Sequence, residues 1–205
     1  WGLTLTTADE VKGLPPPALA TAAASAQAAG AERATAEAGP WRITLDMPSF
    51  DAFMRHAESR DLREKVYRAY VARASELDSA NTKDKSLDNG PLIERILKLR
   101  AEKAALLGFS HYADLSLATK MAPSIAEVEK LLEELRVTSF SVAKEELAEL
   151  NRLAGFSVLH WDVGYWAERL REQRYAFSEE ELRPYFPLPR VLDGLFALVE
   201  RLFGV

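Results

Sequence analysis

The spacing of apolar residues changes at Ser49, and this change limits the folds open to the 205-residue chain. Before it, Trp41, Ile43 and Leu45 alternate with polar neighbours, as on a β-strand that is buried on one face. After it, apolar residues recur every three or four positions, which is the period of an α-helix. We therefore predict a mainly α, irregular multi-helix domain with at most one short β-hairpin.

The predicted strand at 41–46 needs a partner, because unpaired backbone N–H and C=O groups are costly to bury. Two partners are possible. Residues 3–5 could pair with it in a short hairpin, or the pairing strand could come from outside this chain.

The region before the strand contains helix signals. Thr7-Ala8-Asp9-Glu10 has the pattern of a capping box, and Gly13 is placed to end the turn that it starts. Prolines at 15–17 precede an alanine-rich run at 18–38, and proline suits the first turn of a helix. We expect a partly exposed alanine helix that ends near Gly39-Pro40.

Four later helices are predicted from their apolar faces, and the last two faces are expected to point inward. The residues of these faces are, in chain order, Phe50, Phe53, Met54 and Ala57; Leu62, Val66, Tyr67, Tyr70 and Ala74; Ile93, Ile96, Leu97, Ala104 and Leu107; and, in a helix after Pro189, Leu192, Leu195, Phe196, Val199 and Leu202. Pro91 suits the first turn of the third helix, and Gly108 suits its end.

Two further helices are predicted mainly from their caps. Ser124 and Glu127 form a capping box for a long helix, and Asp162 is placed to cap the helix that follows Gly155. A capping box at 178–181 predicts a short turn before Pro184. The polar stretch 78–90 is predicted to be a loop, so residues 1–205 form a single mostly helical region with a possible subdivision there.

Composition excludes several classes of protein. The formal net charge is −5 with acidic and basic residues interspersed, which argues against a nucleic-acid-binding surface. The apolar runs within 18–38 are much shorter than the roughly 20 residues of a membrane span, so we expect no membrane insertion. With no cysteine, the chain has no disulfide framework and no thiolate metal site.

No constellation for catalysis is recognisable. The three histidines, His56, His111 and His160, are isolated in sequence, whereas an H-E-x-x-H zinc helix needs two of them four residues apart. His56 is interpreted as a residue at a helix C-terminus, His111 as a cap and His160 as a packing residue. Adjacent glutamates at 179–181 are explained by the dipole of a helix N-terminus. We predict no catalytic residue, no metal ligand and no cofactor in this chain.

The aromatic residues near the C-terminus have two possible interpretations. They are Trp161, Tyr165, Trp166, Tyr175, Tyr185 and Phe186. They could pack around the last three helices, or they could line a channel that contacts peptide, since Tyr and Trp combine large surfaces with polar groups. The candidates for contact with a substrate are His160, Trp161, Tyr165, Tyr185 and Phe186.

Several collinear segments resemble a known family. They include His160-Trp161-Asp162-Val163-Gly164-Tyr165-Trp166, Leu182-Arg183-Pro184-Tyr185-Phe186 and Leu117-Ala118-Thr119-Lys120-Met121-Ala122. Together they resemble the thimet oligopeptidase and oligopeptidase A family of zinc peptidases, and within it most closely the plant organellar oligopeptidases. The resemblance covers nearly the whole chain in family order.

The resemblance implies the central, non-catalytic portion of an ellipsoidal helical peptidase, with the zinc domain absent. Its zinc ligands would lie beyond Val205, and the whole enzyme would degrade short peptides, such as cleaved targeting peptides, in a chloroplast or mitochondrion; the alternative location is the cytoplasm. On this interpretation the chain is a channel-wall segment, inactive alone, whose partners are short peptides or the missing catalytic portion. The alternative is a truncated non-catalytic paralogue that serves as a binding or structural subunit of a larger assembly.

Overall fold

The computed structural model describes residues 1–78, 87–176 and 179–204. One helix, α1, lies between two short strands, β1 and β2, and the other helices follow β2. A 3-10 turn at Asp9–Val11 precedes α1. The elements are β1 (Leu3–Leu5), α1 (Pro16–Ala28), β2 (Trp41–Ile43), α2 (Met47–His56), α3 (Arg60–Val71), α4 (Gly90–Leu106), α5 (Tyr112–Leu117), α6 (Ile125–Ala154), α7 (His160–Tyr175), α8 (Glu179–Leu182) and α9 (Leu188–Phe203). The predicted mainly α class with one short strand pair is confirmed.

The strand at Trp41 finds its partner within the chain. β1 and β2 are antiparallel, with Leu3 opposite Ile43 and Leu5 opposite Trp41. Trp41, Ile43 and Leu45 are all buried, as their alternation predicts, although the strand itself ends at Ile43. Because α1 lies between the two strands in sequence, they pair without a tight hairpin turn.

The predicted capping box at Thr7 forms only in part, because the Glu10 carboxylate accepts backbone hydrogen bonds while the Thr7 hydroxyl does not cap the turn. The Oε2 atom of Glu10 accepts hydrogen bonds from the N–H groups of Thr6 at 2.9 Å and Thr7 at 3.0 Å. Gly13 follows with φ +87°, a left-handed conformation that glycine adopts without strain. The turn therefore ends where the sequence predicts.

The alanine helix α1 is shorter than predicted, since it ends at Ala28 and not near Gly39-Pro40. Gly30 takes φ +101°, which stops the helix. The returning loop is held by the Gln27 side chain, whose Nε2 donates to the carbonyl of Ala34 at 2.6 Å. Small side chains on α1, including the buried Ala22 and Ala26, allow the helix to pack closely on β2.

Helices α2 and α3 supply most of the remaining core. Phe53 and Val66 are almost completely buried, and the rings of Phe50 and Tyr70 stack with their centroids 4.0 Å apart. Ala74 was predicted on the face of α3, but that helix ends at Val71 and Ala74 has a left-handed φ of +58°.

The predicted helices α4 and α9 exist, but the prediction that their apolar faces point inward is wrong for this chain. In α4 only Ala104 is buried, while Ile93, Ile96 and Leu97, together with Leu107 just after the helix, are 47–59% exposed. In α9, which begins at Leu188, no residue is buried. Its predicted inward residues Leu192, Leu195, Phe196 and Leu202 are 39–66% exposed. Periodicity identifies an apolar face, and it does not identify what covers that face.

The long helix α6 begins and ends as predicted. The hydroxyl of Ser124 accepts a hydrogen bond from the N–H of Glu127 at 3.2 Å, and Gly155 ends the helix with φ +75°. Residues 79–86 of the predicted loop and Ser178 of the predicted third capping box lie outside the described residues. The subdivision of the chain at 78–90 stays a prediction. None of the helices in the described ranges is long and apolar enough to cross a membrane.

Substitutions in the two parts of the chain should differ strongly in their effect on stability. Phe53→Ala is expected to lower the free energy of unfolding by about 3–5 kcal/mol, because it removes a buried ring from the core. Leu106→Ala should change it by less than about 0.5 kcal/mol, because that side chain is already 87% exposed. Urea unfolding followed by tryptophan fluorescence measures both, and equal effects would contradict the assignment of the core.

Candidate functional site

The first turn of α7 contains two of the predicted peptide-contacting residues, His160 and Trp161, and the predicted cap Asp162. The carboxylate of Asp162 accepts a hydrogen bond from the N–H of Leu159 at 3.0 Å, and the N–H of Asp162 donates to the carbonyl of Leu159 at 2.8 Å. The predicted capping by Asp162 is thus confirmed, but it acts from inside the helix, which begins two residues earlier.

Asp162 also forms the centre of a buried ion-pair cluster. Its side chain is 0% exposed and accepts from two arginines of α3: Nη2 of Arg60 at 2.9 Å and Nη2 of Arg63 at 3.0 Å. Nε of Arg60 adds a further hydrogen bond at 3.0 Å. Two cations share one buried carboxylate, which compensates its loss of hydration.

Each nitrogen of the Arg63 guanidinium donates at least one hydrogen bond, and the side chain is only 2% exposed. Nη1 donates to the carbonyls of Ala57 at 2.7 Å and Glu58 at 3.1 Å, and Nε donates to the carbonyl of Trp161 at 3.1 Å. A single side chain therefore joins the connection between α2 and α3 to the start of α7.

Aromatic rings surround these charges. The guanidinium carbon of Arg63 lies 4.3 Å from the ring centroid of Tyr165, and that of Arg60 lies 5.0 Å from the ring of Phe156. Such contacts between a cation and an aromatic face are favourable, more so when they are shielded from water. We call the set Arg60, Arg63, Tyr67, His160, Trp161, Asp162 and Tyr165 the α3–α7 cluster.

The outer side of this cluster has a stacked pair of rings. The exposed His160 lies parallel to Tyr67, with ring centroids 6.0 Å apart, and Arg68 lies 5.1 Å above the ring of Trp161. The indole N–H groups of Trp161 and Trp166 are buried, and within the described part of the chain neither has a hydrogen-bond acceptor.

The five substrate-channel candidates do not form one contact group. His160, Trp161 and Tyr165 lie together in α7, whereas Tyr185 ends a short 3-10 turn and Phe186 follows it. The rings of Tyr185 and Phe186 are 75% and 66% exposed, and among the described residues neither makes a ring contact or hydrogen bond with the cluster. Packing of aromatic residues is seen around α7 and not around the last three helices together, because Tyr175 is also 64% exposed.

Sequence reasoning missed Arg60 and Arg63. A usable signal exists, since both arginines lie in the first turns of α3, where the positive end of the helix dipole disfavours cations. Cations at such a position suggest a carboxylate partner elsewhere. That partner, Asp162, lies about a hundred residues later in the chain, so only the tertiary structure identifies it.

The described residues do not offer a zinc site. His56 is the last residue of α2, His111 precedes the first turn of α5 without a side-chain capping bond, and His160 begins α7. Nowhere in the described ranges do three His, Cys, Asp or Glu side chains cluster in a way that could hold a metal. These residues therefore do not fit the zinc that the resemblance implies for the whole enzyme.

Comparison with known proteins decides the family. A model of peptidase family M3 matches residues 53–205, which is most of the chain. The chain belongs to peptidase family M3. This M3 chain is 49% identical, over 98% of its length, to two proteins of Arabidopsis thaliana named probable cytosolic oligopeptidase A and organellar oligopeptidase A, chloroplastic/mitochondrial. It is 41% identical, over 96% of its length, to oligopeptidase A of Haemophilus influenzae.

The M3 chain spans only part of these relatives. It covers 28% of the cytosolic plant protein, 25% of the organellar one and 28% of the bacterial one. The predicted membership of the oligopeptidase A family is confirmed, and so is the coverage of nearly the whole chain by the similarity.

The ionisation of Asp162 depends on its surroundings in the M3 chain. Burial by itself raises the pKa of this carboxyl, but hydrogen bonds from Arg60, the Leu159 N–H and Arg63 outweigh burial and hold the pKa below its ordinary 3.8. A carboxyl with a lowered pKa stabilises the fold at pH values above 3.8, and this contribution is lost as the pH falls through the folded-state pKa.

Asp162→Asn is expected to lower the free energy of unfolding at pH 7 by about 3–5 kcal/mol, because Arg63 is left as a buried charge without its carboxylate. The variant should also lose less stability than the parent between pH 5 and pH 3, in the range about 1 pH unit to either side of the ordinary pKa. Urea unfolding at several pH values measures both effects. The control Glu64→Gln removes the ion pair that Glu64 forms with the exposed Arg68 within α3, and it should lower the free energy of unfolding by at most about 1 kcal/mol. Equal losses in the two variants would contradict the central role of Asp162.

Proposed function

We propose that this chain forms part of the wall of the peptide channel of a zinc oligopeptidase and supplies none of the residues that cleave the peptide. The observation that carries the proposal is the match to oligopeptidase A proteins across almost the full chain, together with the exposed apolar faces of α4, α6 and α9. Short peptides, such as cleaved targeting peptides, are the proposed substrates of the whole enzyme.

The exposed apolar faces support a role inside a larger body. α9 has apolar side chains at intervals of three and four residues, and they are 39–73% exposed: Leu188, Val191, Leu192, Leu195, Phe196, Leu202 and Phe203. Leu131, Leu132 and Leu135 of α6 are likewise 56–59% exposed. Large apolar patches on proteins mark surfaces that bind other polypeptide. We propose that the catalytic portion of an M3 peptidase covers these faces.

The α3–α7 cluster is the proposed point of contact with peptide. The exposed His160 and the half-buried Tyr67 and Trp161 present ring faces, and aromatic rings bind peptide side chains through large apolar contact areas. Tyr185 and Phe186 stay candidates for contact with the peptide at a position separate from the α3–α7 cluster.

The location of the enzyme is proposed to be a chloroplast or mitochondrion, with the cytoplasm as the alternative. Relatives of the same identity are named for both locations. Imaging of the natural protein with a fluorescent tag in plant cells would distinguish an organellar from a diffuse cytoplasmic signal.

The second candidate function is that of a non-catalytic paralogue that binds a larger assembly through the same apolar faces. The two functions differ in whether the chain can replace its counterpart in an active peptidase. We expect that exchanging the matching segment of the Arabidopsis organellar oligopeptidase A for residues 1–205 retains hydrolysis of a fluorogenic peptide within about tenfold of the parent. A folded but inactive chimaera would favour the paralogue.

The apolar face of α9 can be tested in the same chimaera. Leu195→Asp together with Phe196→Asp should abolish soluble, active enzyme, because charges would be buried where apolar contacts are needed. The control Glu200→Gln changes a charged residue of the same helix and should leave activity unchanged. Activity that survives the two aspartates would contradict the proposal that α9 is covered.

Contact between peptide and the α3–α7 cluster has its own test. His160→Ala in the chimaera should raise KM for the peptide while leaving kcat unchanged, because a wall residue contributes equally to ground-state and transition-state binding. His111→Ala, at the start of α5, is the matched control. Equal KM values for the two variants would exclude His160 from the peptide-contacting surface.

A further inference from the structure

The buried ion-pair cluster has one positive charge in excess, and that charge is accessible at Arg60. Asp162 accepts from both Arg60 and Arg63, so a single carboxylate faces two guanidinium groups. The side chain of Arg63 is only 2% exposed, whereas that of Arg60 is 44% exposed. A ligand can therefore reach the excess charge through Arg60.

The guanidinium of Arg60 also has donors that the fold does not use. Its Nε and Nη2 atoms, which form one side of the group, donate to the carboxylate of Asp162. Among the described residues, no acceptor binds Nη1 or the second N–H of Nη2. These two nitrogens form the end of the guanidinium, where parallel N–H groups match both oxygens of a carboxylate. Arg60 can thus bind a second carboxylate without releasing Asp162.

Aromatic and apolar groups lie close to this guanidinium. Its Cζ atom lies 5.0 Å from the ring centroid of Phe156 and 6.0 Å from that of Trp161. Phe156 and Leu159 are 40% and 43% exposed, and the N–H of Leu159 donates to the same carboxylate of Asp162. These contacts hold Arg60 in place before a ligand arrives, which lowers the entropy cost of binding.

The acids of α3 do not use the free donors of Arg60. Glu64 accepts a hydrogen bond from Arg68 at 2.7 Å within the same helix. The pKa of Arg60 is raised first by its hydrogen bond with Asp162, and the charges of Glu64 and Asp61 contribute less. Asp61 is exposed next to Arg60 in sequence, so its charge weakens the attraction for an anion without occupying the site.

We propose that the free end of Arg60 binds a carboxylate of a peptide, while Phe156 and Leu159 contact the apolar side chain next to that carboxylate. The carboxylate belongs to the C-terminus of the peptide or to an acidic side chain, since both present the planar pair of oxygens that a guanidinium matches. The proposal rests on the proposed contact between peptide and the α3–α7 cluster, and it adds the group that this contact recognises.

The test measures peptide binding to the nitrogen-15-labelled 205-residue chain by NMR titration at low ionic strength. Three N-acetylated, leucine-containing tetrapeptides are compared: one with a free C-terminal carboxylate, one with a glutamate and an amidated C-terminus, and one with glutamine in place of that glutamate. At least one charged peptide should bind about fivefold or more tightly than the uncharged one, and it should shift amide resonances in the first turn of α7. Which charged peptide binds identifies the source of the carboxylate, and either supports the proposal.

One variant removes the excess charge, and a matched control keeps it. Arg60→Gln leaves Arg63 paired with Asp162, so the preference for charged peptides should disappear. Arg136 of α6 binds Glu133 through the same Nε and Nη2 atoms, but that pair has no excess charge. Arg136→Gln should therefore bind the peptides as the parent does.

A second variant tests the same charge without touching the buried cluster. Asp61→Asn removes the exposed acid beside Arg60. It should tighten the binding of charged peptides by about two- to threefold at low ionic strength and leave binding of the uncharged peptide unchanged. If Arg60→Gln does not fold, this variant decides, and unchanged affinity for the charged peptides would overturn the proposal.

Equal binding of the charged and uncharged peptides would overturn carboxylate recognition and leave the contact between peptide and the α3–α7 cluster standing. The proposal also fails if neither charged peptide binds saturably at millimolar concentration, if the shifted resonances lie away from the first turn of α7, or if folded Arg60→Gln keeps the preference of the parent. An inactive chimaera would count against the channel wall only, because these binding measurements need no hydrolysis.

Discussion

The ion pair between Arg63 and Asp162 joins parts of the chain that are 99 residues apart, and the position of α7 depends on it. Both side chains are almost completely removed from water, so each needs every available partner. Arg63 finds them in the carboxylate and in three backbone carbonyls, one of which belongs to Trp161. Because these hydrogen bonds are directional, they fix the orientation of α7 relative to α3 and also hold the two helices in contact. The aromatic surface at the start of α7 follows from that orientation.

Local signals in the sequence were enough to predict many elements because their causes are local. The hydroxyl of Ser124 caps α6 by accepting from the N–H of Glu127, three positions later, and the carboxylate of Glu10 accepts from the N–H of Thr7, three positions earlier. The burial of Trp41, Ile43 and Leu45 follows from the alternation of strand side chains. The end of α1 was predicted too late because alanine propensity continues past Gly30, whereas the bond from Gln27 to Ala34 that holds the returning loop is not visible as a pattern.

The candidate site was predictable only in part, for the same physical reason. Asp162 could be identified as a cap, since its partner Leu159 is three residues away. Its partners Arg60 and Arg63 lie on another helix, and no spacing rule connects them to it. Tyr185 and Phe186 were grouped with α7 by their nearness in sequence, yet their rings make no described contact with it. Composition suggested the aromatic residues, and only tertiary structure shows which of them meet.

The helices α4, α6 and α9 expose their apolar faces, in contrast to the paired side chains of the α3–α7 cluster. The core formed by β1, β2, α1, α2 and α3 with α7 contains nearly all of the buried apolar residues, whereas α9 contains none. An amphipathic helix gains most of its stability in a protein from packing of its apolar face, so α9 depends on contacts that the described residues do not supply. The matched relatives in family M3 are about four times longer than this chain. One part of the described chain carries its own core, and the other part exposes the apolar faces of its helices.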